Sequence, residues 1–213
     1  MADPRFRGSG VALVTPFEDG GAGGVDERVL RELVDFHHRE GTDALVVCGS
    51  TGEAVTMTPA EQRRAIEVVV DENGGRLPVI AGCGGSDTAR VAELAAQARE
   101  AGADGLLLSA PPYNKPPQAG LIEHFRTVID AGDLPAILYN VPGRAAVNIE
   151  PGTIAELARD ERVIGVKEAS GDISRVAELV RLTGDRLALW SGNDDQVVPL
   201  LALGGVGVIT VLG

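Results

Sequence analysis

The feature of the sequence that most constrains its fold is a short, continuously apolar run that recurs eight times. A strand with one solvent-exposed face alternates polar and apolar residues, and these runs do not. Continuous apolar runs are typical of parallel strands that are buried on both faces. Glycines, prolines and polar, helix-like stretches separate one run from the next. The runs occupy residues 10–17, 44–50, 77–84, 105–112, 135–142, 163–170, 187–193 and 205–211.

The stretches between the runs contain residues that typically begin or end helices. Thr58 is a predicted N-cap, with Pro59 in the first turn and Glu61 three residues after the cap. Two further helices are predicted over residues 86–102 and 172–184, each opening at a capping serine or aspartate and stopping near a glycine. Strands alternating with helices eight times predict one (β/α)8 TIM barrel domain over residues 1–213.

An open, doubly wound sheet is the alternative architecture. It is disfavoured because no Gly-x-Gly-x-x-Gly pattern follows the first run. A barrel usually takes about 250 residues, whereas this sequence has 213 and stops after the eighth run. We therefore expect all eight strands but not the eighth helix, which would cover the seam between the eighth strand and the first. Outward side chains at this uncovered seam, such as Leu13 and Val208, are expected to be exposed.

Composition narrows the function classes. A net charge of −12 argues against nucleic-acid binding, because the phosphate backbone requires a basic face. No apolar run approaches the ~20 residues of a membrane span and no signal peptide is evident, so a cytoplasmic protein is expected. Cys48 and Cys83 follow predicted strands as reduced, buried thiols, and His37, His38 and His124 fall in helices without ligand spacing, so no metal site is expected.

Polar side chains collect where the predicted strands end. In a (β/α)8 barrel the active site lies at the carboxyl ends of the strands, so residues from several runs meet there. Both tyrosines and both lysines of the chain lie at or just after the carboxyl ends of such runs. The strand-end residues are Thr15, Ser50, Thr51, Glu53, Tyr113, Asn114, Lys115, Tyr139, Asn140, Arg144, Lys167, Glu168 and the segment 191–194.

Lys167 stands out because the chain otherwise uses arginine for its cations. A lysine amine can condense with a ketone to form an imine, and a guanidinium cannot. Burial at a strand end lowers the pKa of an ammonium, which makes the free amine accessible near neutral pH. Successive side chains alternate along a strand, so the adjacent Glu168 should point away from Lys167 and support the structure.

Four motifs occur in order: "GSTGE" at 49–53, "PPYNKP" at 111–116, "YNVPGR" at 139–144 and "VIGVKEASGD" at 163–172. Together they resemble the signatures of the dihydrodipicolinate synthase / N-acetylneuraminate lyase family of pyruvate-dependent class I aldolases. The resemblance runs from the first apolar run to the last. Members of this family continue into an eighth helix and a C-terminal helical domain, both of which are expected to be missing here.

The resemblance implies a catalytic role for four residues. Lys167 would form the Schiff base with pyruvate, and no separate cofactor would be needed. Tyr139 would relay protons, Ser50 would hydrogen-bond to Tyr139, and Tyr113 would complete the relay from a neighbouring subunit. A homodimer or homotetramer is therefore implied for the full-length form.

The substrate-binding residues follow from the same resemblance. Backbone amides near Thr51 would hold the pyruvate carboxylate, while Gly192 and Ile209 would shape the pocket. Arg144 resembles the synthase pattern, in which this arginine binds the carboxylate of L-aspartate-4-semialdehyde. The implied activity is the lyase that makes 4-hydroxy-tetrahydrodipicolinate for lysine and diaminopimelate synthesis. The alternatives are an aldolase for N-acetylneuraminate or a 2-keto-3-deoxy sugar acid, and an inactive truncated barrel.

Overall fold

A computed structural model describes residues 5–18 and 24–212. Within these ranges, eight parallel strands pair in chain order and β8 closes onto β1. The strands are β1 (Gly8–Ala12), β2 (Ala44–Val47), β3 (Val79–Cys83), β4 (Gly105–Ser109), β5 (Ala136–Asn140), β6 (Val163–Glu168), β7 (Ala188–Ser191) and β8 (Gly207–Thr210). The predicted closed barrel is confirmed.

Helices connect the strands along the outside of the barrel. They are α1 (Glu27–Glu40), α2 (Pro59–Asn73), α3 (Thr88–Glu100), α4 (Gln118–Gly132), α5 (Pro142–Ala145), α6 (Pro151–Leu157), α7 (Ser174–Thr183) and α8 (Val197–Ala202). Two short helices, α5 and α6, share the connection between β5 and β6. Helix α8 therefore belongs to the connection between β7 and β8, and the described residues contain no helix after β8, as expected. None of the helices in the described ranges has the length and hydropathy that a bilayer crossing needs.

The predicted N-caps of α2 and α3 are present. Thr58 and Glu61 form a reciprocal capping box at the start of α2, and Pro59 occupies its first turn. The Asp87 carboxylate accepts a hydrogen bond from the backbone N–H of Ala89 at the start of α3. These local hydrogen bonds satisfy amide groups that a helix start would otherwise leave unpaired, so each crossover begins where its sequence indicates.

The core has two layers, one inside the barrel and one between the strands and the helices. The outer layer is rich in small and branched aliphatic side chains and includes Val47, Leu106 and Leu138. The inner layer fills the half of the barrel interior that lies towards the amino ends of the strands (the lower half), so this half is packed rather than open. Its buried members are Phe6, Ala44, Val46, Ile80, Leu107, Ile137, Ile164, Trp190 and Ile209.

Strand β6 contains an irregularity that sets the direction of its later side chains. Its register against β5 shifts near the start of the strand. As a result Ile164 and Gly165 both face the interior, where Gly165 lies against the Trp190 ring, and Val166 returns to the outer layer. A bulge of this kind inverts the alternation that follows it, so Lys167 points into the barrel.

The expected exposure at the seam is partly wrong. Leu13 is 2% exposed because the strand has already ended at Ala12 and its side chain joins the outer core. Val208 is half-buried. Exposed apolar side chains lie instead on α8 and in the residues that flank β8: Val198, Leu201, Leu203, Val211 and Leu212.

Gly165 gives a test of the packing around the bulge. A Cβ at this position would overlap the Ala188 carbonyl oxygen and the Trp190 ring. Gly165→Ala is therefore expected to lower the free energy of unfolding by about 1–3 kcal/mol, through overpacking. The measurement is urea denaturation of both proteins.

Gly152→Ala is the matched control, since a Cβ on this exposed helical glycine would meet no atom within 4 Å. It should be neutral or stabilise the fold by up to about 1 kcal/mol, because alanine restricts the unfolded chain more than glycine does. Equal stability of the two variants would contradict the packing described for β6.

Candidate active site

A cavity of about 500 Å³ opens at the carboxyl ends of the strands. Seven of the eight predicted site residues line it, and Tyr113 does not. The cavity walls come from most of the strands and their following loops, as expected for a (β/α)8 barrel. The predicted residues in the wall are Ser50, Thr51, Tyr139, Arg144, Lys167, Gly192 and Ile209.

Lys167 lies on the floor of this cavity, on the inner face of β6. It pairs in register with Tyr139 of β5, and its Nζ lies 4.3 Å from the centre of the Tyr139 ring. Its side chain runs past Gly192, where a Cβ would come within 3.1 Å of Lys167 Cε. The lysine is 7% exposed, so its amine is largely removed from water while still opening onto the cavity.

The surroundings of Lys167 favour its neutral form. Burial and, to a smaller extent, the positive charge of Arg144 lower the pKa of Lys167 from its ordinary 10.5 to about 8, with the negative charge of Asp194 opposing both effects. This difference makes the neutral amine about 300-fold more abundant at pH 7 than in a solvent-exposed lysine. The cavity therefore holds a usable nucleophile near neutral pH.

The pKa of Tyr139 is shifted in the opposite direction to that of Lys167, and this shift favours the protonated phenol. Burial raises the pKa of Tyr139 above its ordinary value of 10, and the positive charge of Arg144 partly opposes this effect. A protonated phenol beside a neutral amine can donate a proton to an oxygen that leaves the amine-bearing carbon and can take one back. The two groups thus form an acid–base pair inside the cavity.

Arg144 reaches the cavity from the short helix that follows β5. Pro142 begins α5, and Ala146 ends it in the left-handed region with φ of 59°. This single turn holds Arg144 beside the mouth of the cavity, where its side chain is exposed. A guanidinium at the mouth suits a substrate that carries a carboxylate.

The loop after β2 carries Ser50 and Thr51. Its backbone is tight, with φ of 56° at Cys48 and 55° at Glu53, and Thr15 Oγ1 donates a 2.7 Å hydrogen bond to the Gly52 carbonyl. Ser50 lines the cavity together with Tyr139, but among the described residues no hydrogen bond joins the two hydroxyl groups. The expected contact between them stays a prediction.

Tyr113 lies outside the cavity of its own chain. It is 89% exposed and has φ of 70°, so the loop presents its ring to solvent. The loop is held in this shape by two hydrogen bonds with Ser86: Asn114 Nδ2 donates to the Ser86 carbonyl, and Ser86 Oγ donates to the Pro112 carbonyl, both at 2.9 Å.

Several cavity residues were assigned no role from the sequence. Asp194 and Thr210 line the mouth, and the Thr210 hydroxyl donates a hydrogen bond to the Asp194 carboxylate. The position of Asp194 directly after the seventh run was the signal available for it. Cys48 and Cys83 also reach the cavity wall, where burial raises the pKa of each thiol to about 12 and keeps it protonated.

Within residues 5–18 and 24–212, no group of three or more His, Cys, Asp or Glu side chains is arranged to hold a metal ion. The polar side chains that line the cavity carry hydroxyls, two thiols, one amide, one amine, one guanidinium and one carboxylate. They are suited to binding a small anionic carbonyl compound and to proton transfer.

Fold and site together define a (β/α)8 barrel with a buried lysine amine at the carboxyl end of its sixth strand. Residues 5–213 match the dihydrodipicolinate synthetase family. The 4-hydroxy-tetrahydrodipicolinate synthase of Thermoanaerobacter sp. strain X514 is 51% identical over 209 residues, and that of Clostridium tetani is 50% identical over 208 residues. The chain belongs to the dihydrodipicolinate synthetase family.

Solved structures give the same result. Dihydrodipicolinate synthase from Aquifex aeolicus superposes with a TM-score of 0.93 at 45% identity and covers 97% of this chain. A synthase from Cyanidioschyzon merolae, solved with lysine bound, has a TM-score of 0.93 at 40% identity. This chain spans 69% of the Thermoanaerobacter protein and 70% of the Aquifex chain, so the matched part of these longer proteins is the barrel.

The two charges beside Lys167 predict opposite pH effects. Arg144→Gln removes the positive charge that lowers the pKa of Lys167, and Asp194→Asn removes the negative charge that raises it. The rate of imine formation with pyruvate should rise with pH as the Lys167 amine loses its proton. This rising limb of the pH profile should move to higher pH in the first variant and to lower pH in the second. The measurement is the initial rate of borohydride trapping between pH 6 and pH 10 (a range set by the ordinary pKa values of lysine and its shifted form).

A shift of both profiles in the same direction would contradict this description of the cavity. The wild-type rising limb should lie near pH 8. A midpoint near 10.5, the ordinary lysine value, would show that Lys167 is not desolvated.

Proposed function

We propose that this chain is the catalytic barrel of a Schiff-base aldolase that condenses pyruvate with L-aspartate-4-semialdehyde to 4-hydroxy-tetrahydrodipicolinate. The observation that carries the proposal is the buried Lys167 amine held 4.3 Å from the Tyr139 ring in a cavity with Arg144 at its mouth. The relatives at about 50% identity bear the name of this synthase. The activity is that of a lyase in the route to diaminopimelate and lysine.

The first half-reaction uses the neutral amine. Lys167 Nζ adds to the C2 ketone carbon of pyruvate, and the amine proton passes to the former ketone oxygen. The hydroxyl then leaves as water once Tyr139 has supplied a proton, and the C2–N bond becomes an imine. Backbone amides near Ser50 and Thr51, which line the cavity, would receive the pyruvate carboxylate.

The second half-reaction forms the carbon–carbon bond. The protonated imine withdraws electrons from C3, which loses a proton and becomes the nucleophilic carbon of an enamine. This carbon attacks the aldehyde of the acceptor, and the aldehyde oxygen is protonated through Tyr139. The acceptor's amino group then adds to C2 and displaces Lys167, which closes the ring and returns the free amine.

Arg144 is the proposed determinant of the acceptor. Its guanidinium can bind a carboxylate with two parallel hydrogen bonds, and aspartate semialdehyde carries a carboxylate at the end away from its aldehyde. Because Arg144 stands at the mouth, the acceptor would enter with its aldehyde towards Lys167. No external cofactor is proposed, since the protonated imine takes up the electron pair of the C3–H bond and the resulting enamine supplies it to the new bond.

A homo-oligomer is proposed for the working enzyme. Tyr113 is 89% exposed on a loop held by hydrogen bonds, and it lies outside the cavity of its own chain. A fixed, exposed aromatic side chain is suited to insertion into a neighbouring copy, where it would extend the relay of Tyr139 and Ser50. A cytoplasmic location is proposed, in keeping with a biosynthetic reaction on small anions.

Imine trapping tests the proposed nucleophile. Incubated with pyruvate and reduced with borohydride, the protein is expected to gain one pyruvyl adduct on Lys167, because about half of this amine is neutral at its pKa of about 8. Mass spectrometry of the intact protein and of its peptides gives the number and the position of the adduct.

Lys167→Arg should abolish the adduct while keeping the fold, since a guanidinium cannot form the imine. Lys115→Arg is the matched control, because Lys115 is the other lysine of the chain and is exposed on a loop. An adduct on Lys115, or none on folded wild-type protein, would refute the aldolase.

Arg144→Ala tests the acceptor. It should reduce condensation with aspartate semialdehyde by roughly ten- to a hundredfold, the effect of losing a charged hydrogen bond of about 1.5–3 kcal/mol. Pyruvate trapping at the plateau of the pH profile should change much less. Cleavage of N-acetylneuraminate or a 2-keto-3-deoxy sugar acid faster than condensation of the semialdehyde would show that the acceptor is wrongly assigned.

A further inference from the structure

On the outer face of the barrel, directly behind the reacting pair, lies a polar contact that the proposed reaction does not use. Strands β5 and β6 pair Tyr139 with Lys167, and the next pair in register is Asn140 with Glu168. Side chains alternate along a strand, so the first pair faces the cavity and the second faces the helices. The two pairs are joined by single peptide units.

The outer pair is fully buried and closely hydrogen-bonded. Asn140 is 0% exposed and Glu168 is 2% exposed. Asn140 Nδ2 donates to both carboxylate oxygens of Glu168 at 3.0 Å, and the Ser170 backbone N–H donates to Glu168 Oε1 at 2.7 Å. Removing a carboxylate from water costs free energy, and proteins tolerate this only when hydrogen-bond donors surround the group. These donors fix the position of the Glu168 carboxylate.

The contact also fixes the chain on both sides. Asn140 Oδ1 accepts a hydrogen bond from the Ile149 N–H at 3.0 Å, which ties the strand end to the segment before α6. Arg175 Nε lies 3.6 Å from Glu168 Oε2, beyond hydrogen-bond distance, and has no other partner among the described residues. The carboxylate is therefore held by Asn140 and Ser170, with Arg175 supplying the countercharge.

We propose that the Asn140–Glu168 contact positions Lys167 and Tyr139 against each other, so that Asn140 and Glu168 are positioning residues for imine formation. This inference rests on the proposed function of Lys167. The contact holds the ends of β5 and β6 in register, and the register sets the distance between the amine and the phenol on the opposite face. Loss of the contact would let the β6 end shift and let water reach the amine.

The donors and acceptors of this contact can be inverted, which provides a sharp test. In Glu168→Gln, one end of the new amide must present its N–H₂ group either to Asn140 Nδ2 or to the Ser170 N–H, so donor faces donor. In Asn140→Asp, two carboxylates meet in a buried site. The double variant Asn140→Asp/Glu168→Gln restores one donor to one acceptor and keeps the net charge beside Arg175.

The readouts are the rate of borohydride trapping with pyruvate, its pH profile and the melting temperature. Each single variant is expected to trap roughly ten- to a hundredfold more slowly, as small displacements of a reacting group do. The rising limb of the pH profile should move to higher pH, because a hydrated Lys167 amine returns towards its ordinary pKa. The double variant should recover to within about threefold of wild type, since the two changes are coupled.

Asn73→Ala is the control for a merely structural effect. Asn73 is 2% exposed and makes two hydrogen bonds with Leu77 at the end of α2, away from the cavity. It should lower the melting temperature while leaving the trapping rate and the pH profile unchanged. If Glu168→Gln does not fold, Asn140→Ser supplies the single variant, because its shorter side chain adds no charge and cannot bridge Glu168 and the Ile149 N–H.

Folded single variants that trap pyruvate at the wild-type rate, with an unchanged pH profile, would overturn this inference and leave the proposed function intact. So would a folded double variant that shows no recovery. Wild-type protein without any adduct would overturn the proposed function, and the inference with it. Slow trapping and a shifted profile in the single variants, reversed in the double variant, would establish it.

Discussion

The closure of the sheet is the constraint on which the rest of the structure depends. Strand β8 pairs with β1 from Gly8 opposite Gly207 to Val11 opposite Thr210, so within the described residues the sheet has no open edge. Closure creates an inside that apolar side chains can fill, and it brings all carboxyl ends of the strands to one rim. Residues as distant in the sequence as Ser50 and Lys167 meet in one cavity for this reason.

The same closure makes the chemistry of the cavity possible. A lysine on the inner face is surrounded by other strands and loses water, which lowers the pKa of Lys167 to about 8. The free energy that burial costs this amine is offset by the packed layer beneath it, where Trp190 and Phe6 stack with ring centres 5.0 Å apart. The apolar lower half of the barrel thus supports a polar, reactive upper half.

Much of the site could be predicted because its signals are local. The eight apolar runs, the capping residues and the lysine at a strand end each depend on neighbours in the sequence, and four motifs carry the resemblance to the family. The contact between Asp194 and Thr210 was missed because it joins the loop after β7 to the end of β8, and only the closed barrel brings the two residues together. The exposure expected for Leu13 was wrong because β1 ends at Ala12, the residue before Leu13, and the Leu13 side chain enters the outer core.

The sequence by itself determined the strand and helix pattern, the family and the identity of the residues with useful chemistry, since these are properties of short segments and residue types. The tertiary structure alone decided where those side chains point. The register shift at the start of β6 turns Lys167 into the cavity, and Tyr113 stays outside it on a loop held by Ser86. Direction depends on strand pairing between distant segments, because a shift of one residue moves a side chain to the opposite face of the sheet.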